Sequence, residues 1–136
     1  MYVTAKGILL RYQKAKAEAK DIELRMAELR LKYSLPSSAP YSDMPHAHNS
    51  NHDLSDYAVK MSELEQLLID QYTRCIGIEI DIYKRLDKMD NQNERALLRY
   101  RYVDGLTWRE IAEKLNFVER NVYFLHGRAL QHFPTD

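Results

Sequence analysis

The sequence predicts an all-α protein: a long antiparallel helical hairpin of coiled-coil type, followed by a C-terminal three-helix unit containing a helix-turn-helix. Three observations predict it. Ala, Leu, Lys, Glu and Arg fill the long stretches, while only four glycines and four prolines occur in 136 residues; such composition favours helix. Apolar residues recur at spacings of three and four along two long segments, which is the period of a helical seam. Capping signals punctuate the last third of the chain.

Residues 4–33 form the first element. Ile8, Tyr12, Ala15, Ala19, Ile22, Met26, Leu29 and Tyr33 alternate in steps of four and three. That register places all eight on one stripe. Residues 34–55 break every period. Their three prolines and their serines and asparagines mark a long loop. Ser55 can cap the next helix. Residues 56–89 form that helix, with Tyr57, Met61, Leu64, Leu68, Tyr72, Cys75, Ile78 or Ile82, Leu86 and Met89 along one face. Gln71 and Arg85 interrupt a strict heptad there. The loop lets the two helices fold back on each other, so residues 1–90 read as a hairpin and residues 91–136 as a separate unit.

"DNQNERALL" signals a fresh start. Asn91 and Glu94 resemble a capping box, and residues 92–102 read as a short helix burying Leu97, Leu98 and Tyr100. Gly105 ends it by supplying a left-handed conformation. In "GLTWREIAEKLNF", Thr107 and Glu110 have the spacing of a capping box. Ile111, Ala112 and Leu115 form the apolar face, and Asn116 tolerates the left-handed stop. "ERNVYFLHGRALQHF" follows, with Val122, Leu125, Ala129 and Phe133 facing inward. A short capped helix, a tight turn and a second amphipathic helix make a helix-turn-helix.

Charge and composition limit the alternatives. Net charge is zero, from 20 basic and 20 acidic side chains. Residues 1–33 carry eight basic and four acidic groups, residues 57–90 five and seven, and residues 91–136 seven and six. The last unit therefore has a thin electrostatic footprint for a nucleic-acid binder. One cysteine, Cys75, cannot form an internal disulfide, which fits the cytoplasm. The N-terminus has no apolar signal core, and no apolar run is long enough for a membrane span. No Gly-rich phosphate loop, nucleophile elbow or convergent carboxylate pair is visible, so no enzyme, catalytic residue or cofactor is expected. Asp43, His46, His48, His52 and Asp53 lie close together, but their spacing matches no standard zinc or nickel site, so no metal is expected. Trp108 is expected to pack on the preceding helix.

In a helix-turn-helix the second helix enters the major groove while the first braces across the backbone. Thr107 and Arg109 stand at the positive end of the first helix, suited to a phosphate. The outward residues of the second are Glu119, Arg120, Asn121, Tyr123, Phe124, His126 and Arg128. Arg pairs with guanine edges and Asn with adenine edges. These nine are the candidate DNA-binding residues.

"ERALLRYRYVDGLTWREIAEKLNFVERNVYFLHGRAL", residues 94–130, resembles the region-four helix-turn-helix of bacterial sigma factors. The whole chain, with "YSDMPHAHNSNHDLSDY" between its long helices, resembles small prophage proteins of Gram-positive bacteria, related to late-transcription regulators of the ArpU and RinA type. The resemblance implies sequence-specific binding to double-stranded promoter DNA, transcriptional control and contact with RNA polymerase. It sets Glu119, Arg120, Asn121, Tyr123 and Phe124 where that family's recognition helix faces the promoter. The chain departs from the pattern at Val118, where a Ser or Thr cap is usual, and at its aromatics, where Arg or Gln is common. No region-two counterpart is visible. Two readings follow: a DNA-binding regulator, in which the long helices serve homodimerisation or polymerase contact, and a protein-interaction module for a host factor such as RNA polymerase, with the helix-turn-helix as scaffold.

Overall fold

The computed structural model describes residues 3–34 and 50–136, with side chains given from residue 54 onward in the second of these stretches. Five α-helices and one π-helical turn occur among the described residues: α1 (Ala5–Ser34), α2 (Ser50–Leu86), α3 (Gln92–Leu98), a π turn (Arg99–Val103), α4 (Trp108–Leu115) and α5 (Glu119–His132). No strand is present among them, so the all-α expectation holds. None of these helices is long and apolar enough to cross a membrane.

The chain divides into two compact units, one of residues 17–73 and one of residues 1–16 with 74–136. In the 17–73 unit, parts of α1 and α2 run antiparallel. Gln71 Nε2 donates to Glu18 at 3.1 Å, the Tyr72 hydroxyl donates to Glu23, and the Tyr33 and Tyr57 rings lie 5.0 Å apart. Ala19, Met26 and Met61 are buried between the helices, and Ile22, Leu29, Leu64, Leu68 and Gln71 are half-buried. The α1 stripe is as its spacing predicts. On α2 the stripe differs at one place: Gln71 faces inward and Tyr72 is 43 % exposed. The four-three register runs on through the polar Gln71, because its amide finds the Glu18 carboxylate.

The other unit gathers the start of α1, the end of α2 and all that follows. Ile8, Leu9, Ile82, Leu97, Leu98, Ile111 and Val122 are its fully buried large side chains. Tyr12 donates to Glu79 at 3.4 Å, and burial together with the Glu79 charge pushes its phenol up to about 12. Gln13 Nε2 donates to the Arg101 carbonyl at 3.1 Å. Arg85 also keeps the stripe's register. It is half-buried, donating to Asp81 at 3.0 Å and to the Pro134 carbonyl at 2.8 Å, so the last residues are tied back to α2.

Three boundaries differ from the sequence expectation. α2 begins at Ser50, so Ser55 lies inside the helix instead of capping it. No proline follows Pro45 in that stretch, and Ser50 and Asn51 are themselves cap-type residues. α2 stops at Leu86, and the chain beyond it turns through Lys88 N–H to the Arg85 carbonyl and Met89 N–H to the Leu86 carbonyl. Met89 stays buried all the same. The helix read at 92–102 is α3 followed by the π turn, in which Asp104 N–H reaches the Arg99 carbonyl at 3.0 Å. That wider turn buries the adjacent pair Tyr102 and Val103 and leaves Tyr100 half-buried. The candidate metal ligands Asp43, His46 and His48, and the side chains of His52 and Asp53, lie outside the described residues.

Candidate nucleic-acid interface

Local chemistry fixes the ends of α3 and α4. Asn91 caps α3, accepting the Glu94 N–H at 3.0 Å. The return half of that predicted capping box does not form. Glu94 is 3 % exposed and its carboxylate instead meets His132 Nδ1 of α5 at 2.8 Å. After the π turn, Gly105 takes φ +73°, a conformation that costs a Cβ-bearing residue dearly. Thr107 then caps α4 with both halves of the box in place: Glu110 N–H to the Thr107 hydroxyl oxygen at 3.2 Å, and Thr107 N–H to the Glu110 carboxylate at 3.3 Å. α4 ends at Asn116, with φ 58°, where Phe117 N–H reaches the Ala112 carbonyl at 2.9 Å. This is a Schellman-type stop. Val118 opens α5 without a side-chain cap. One cap is thus absent where Asn, Ser or Thr would typically add about 1 kcal/mol.

α4 buries Ile111 and Ala112; α5 buries Val122, Leu125 and Ala129, with Phe133 just beyond. The opposite side of α5 is open. Glu119, Arg120, Asn121 and Arg128 are exposed, Tyr123 is 49 % exposed and Phe124 64 %. Arg120 lies 5.9 Å from the Phe124 ring centre, and the Tyr123 hydroxyl donates to Glu119 at 3.2 Å. Thr107 and Arg109 stand exposed at the start of α4, with Arg109 Nε 4.0 Å from Glu113. Eight of the nine candidate residues therefore lie on exposed surface.

His126 is the ninth and sits differently. Its ring is half-buried, with Nε2 2.7 Å from the Tyr102 hydroxyl and the ring edge against Trp108 at 4.7 Å. Trp108 packs on α5 through His126 and Tyr123, whose rings lie 4.7 and 5.4 Å away, while the Arg101 guanidinium covers it at 4.2 Å. Arg101 also donates to the Leu106 carbonyl at 3.1 Å. This Arg101, Tyr102, Trp108 and His126 cluster joins the π turn, α4 and α5. The sequence predicts that Tyr100 turns inward and that Trp108 packs on the preceding helix; Tyr102 is the buried tyrosine instead, and Trp108 meets Arg101 of the π turn as well as α5.

Burial first, and then the Lys6 and Arg101 charges, hold His126 below its ordinary value of 6.5. The folded state therefore prefers the neutral ring, whose Nε2 shares a hydrogen bond with the Tyr102 hydroxyl. The unfolded chain takes up a proton first as pH falls. The contribution of His126 is complete above 6.5 and is lost as pH drops through the lowered folded value. Acidifying from about pH 7.5 to about pH 5.5 is expected to lower Tm, and His126→Phe to shrink that pH difference. An unchanged difference in the variant would remove His126 from the account.

With this geometry in place, comparison with known proteins bears on the C-terminal helices. No curated protein and no solved structure matches the chain. The family model for sigma-70, region 4, matches residues 81–133, which include α3, the π turn, α4 and α5. That part of the chain is thus similar to a DNA-binding, non-enzymatic helix-turn-helix domain with a role in transcription.

Proposed function

We propose that the chain is a phage-type transcriptional regulator that reads promoter DNA with α5 and contacts RNA polymerase. The observation that carries this reading is the open side of α5, where Arg120 and Asn121 stand exposed on a helix whose other side is locked into the core. Arg120 and Asn121 read base edges; Glu119, Tyr123 and Phe124 shape the groove contact; Arg128 meets a phosphate. Thr107 and Arg109 approach the backbone from the start of α4. His126 acts as a positioning residue, fixing the rotation of α5 through Tyr102 and Trp108.

The test begins with selection of bound fragments from the source genome at stated salt. On a selected fragment, Arg120→Ala with Asn121→Ala is expected to weaken binding tenfold or more, since one good base pairing contributes about 1–3 kcal/mol. Arg109→Ala should instead weaken all sequences alike and lower the salt slope by about one. Unchanged retardation by a folded double variant would reject the assignment.

The near-balance of charge in residues 91–136, seven basic against six acidic, favours a second reading: a module that binds a host factor such as RNA polymerase, with the helix-turn-helix as scaffold. A flat salt response together with co-purification of one host protein would support it over DNA reading.

A further inference from the structure

The two helices of the 17–73 unit do not close their seam evenly. On α1, Ala19 and Met26 are buried, while the alternate stripe positions, Ile22 and Leu29, are only half-buried. On α2, Met61 is buried while Leu64, Leu68 and Gln71 are half-buried. A two-stranded seam that was complete would cover both sets. Here two of the half-buried residues, Leu29 and Leu64, open onto a groove of about 450 Å³ that Leu67 also lines. Leu67, at 54 % exposure, adds apolar surface where a solvated rim would carry charge.

We infer that this groove is the contact between two copies of the chain, which pair their hairpins as a four-helix bundle. The groove's charges argue for a copy of itself as the occupant. Its rim carries Arg25, Lys32 and Lys60 together with Glu28 and Glu63. A rim of one sign would call for an oppositely charged partner and would repel a copy. A mixed rim allows a two-fold axis to set one copy's acids beside the other's bases. The shape agrees: two antiparallel helices with one open seam side are half of a bundle, and a second identical pair supplies the missing half. The inference goes beyond DNA reading by α5 and holds whichever reading of α5 is correct, since self-association is measured without DNA.

The experiment is sedimentation equilibrium of the full chain, without nucleic acid, over the whole accessible concentration range. The wild type is expected to be a dimer. Leu67→Glu should be a monomer with unchanged helical circular dichroism, because Leu67 is already exposed and its loss leaves the intrachain seam alone. Leu24→Glu is the control. Leu24 is also 54 % exposed but does not line the groove, so that variant should remain a dimer. A monomeric wild type, a dimeric Leu67→Glu variant, or loss of the dimer in Leu24→Glu would each overturn the inference.

Discussion

Shortening Ile111 to Ala is expected to cost the C-terminal helices about 2–5 kcal/mol. Ile111 is fully buried in the same core cluster as Leu97, Leu98, Val122 and Leu125. Removing most of its side chain loses transfer free energy and leaves a cavity that neighbours on several helices must close. Neither α4 nor α5 is long enough to be stable alone, so these contacts decide whether α5 keeps its place. The chain reports on this itself: its one Trp, Trp108, packs on Arg101, Tyr123 and His126. Urea unfolding followed by its fluorescence should show the midpoint falling sharply for Ile111→Ala and hardly at all for the exposed Arg109→Ala. A loss below about 1 kcal/mol for Ile111→Ala would mean that α4 is not packed as described.

Glu94→Ala is expected to be the next most damaging change, at about 1–3 kcal/mol. Glu94 lies in the first turn of α3 yet is buried, and its contact with His132 at 2.8 Å ties that turn to the last turn of α5. Removing the carboxylate leaves His132 without this acceptor and opens a gap under α5. His132 is much the more exposed partner, with 60 % of its side chain accessible against 3 % for Glu94. His132→Ala should therefore cost less. A double-mutant cycle isolates the link, and a coupling of about 0.5–3 kcal/mol is expected. If the two losses simply add, Glu94 is held by its surroundings alone.

Local chemistry explains which parts of the fold were legible in the sequence. The limits of α4 follow from Thr107, Glu110 and Asn116, each acting within four residues of itself, and all three behave as their side chains dictate. The α1 stripe was equally plain, since spacing alone sets which residues share a face. Several of the expectations that failed depend on a distant partner. Glu94 has the spacing to close a box with Asn91, but His132, far along the chain, competes for the carboxylate and wins. Gln71 reads as an interruption until Glu18 meets its amide, and Arg85 until the Pro134 carbonyl does.

The candidate interface follows the same rule. Eight of its nine residues lie on exposed surface because period and amphipathicity decide that much. His126 was grouped with them by position on the wheel, yet Tyr102 and Trp108 draw its ring inward. That contact needs the π turn, which no propensity along "RYRYV" foretells.

The π turn also makes chain length there a control on packing. In an ordinary helix each residue advances the direction by about 100°. Between Arg99 and Val103 the backbone accommodates a surplus residue and still delivers Leu106 and Thr107 where α4 begins. Deleting a single residue from this stretch would restore ordinary winding and pull Tyr102 and Val103 out of their buried places. Insertions and deletions in these five positions would act on Arg101, Tyr102, Trp108 and His126 together, while a substitution acts on one contact at a time.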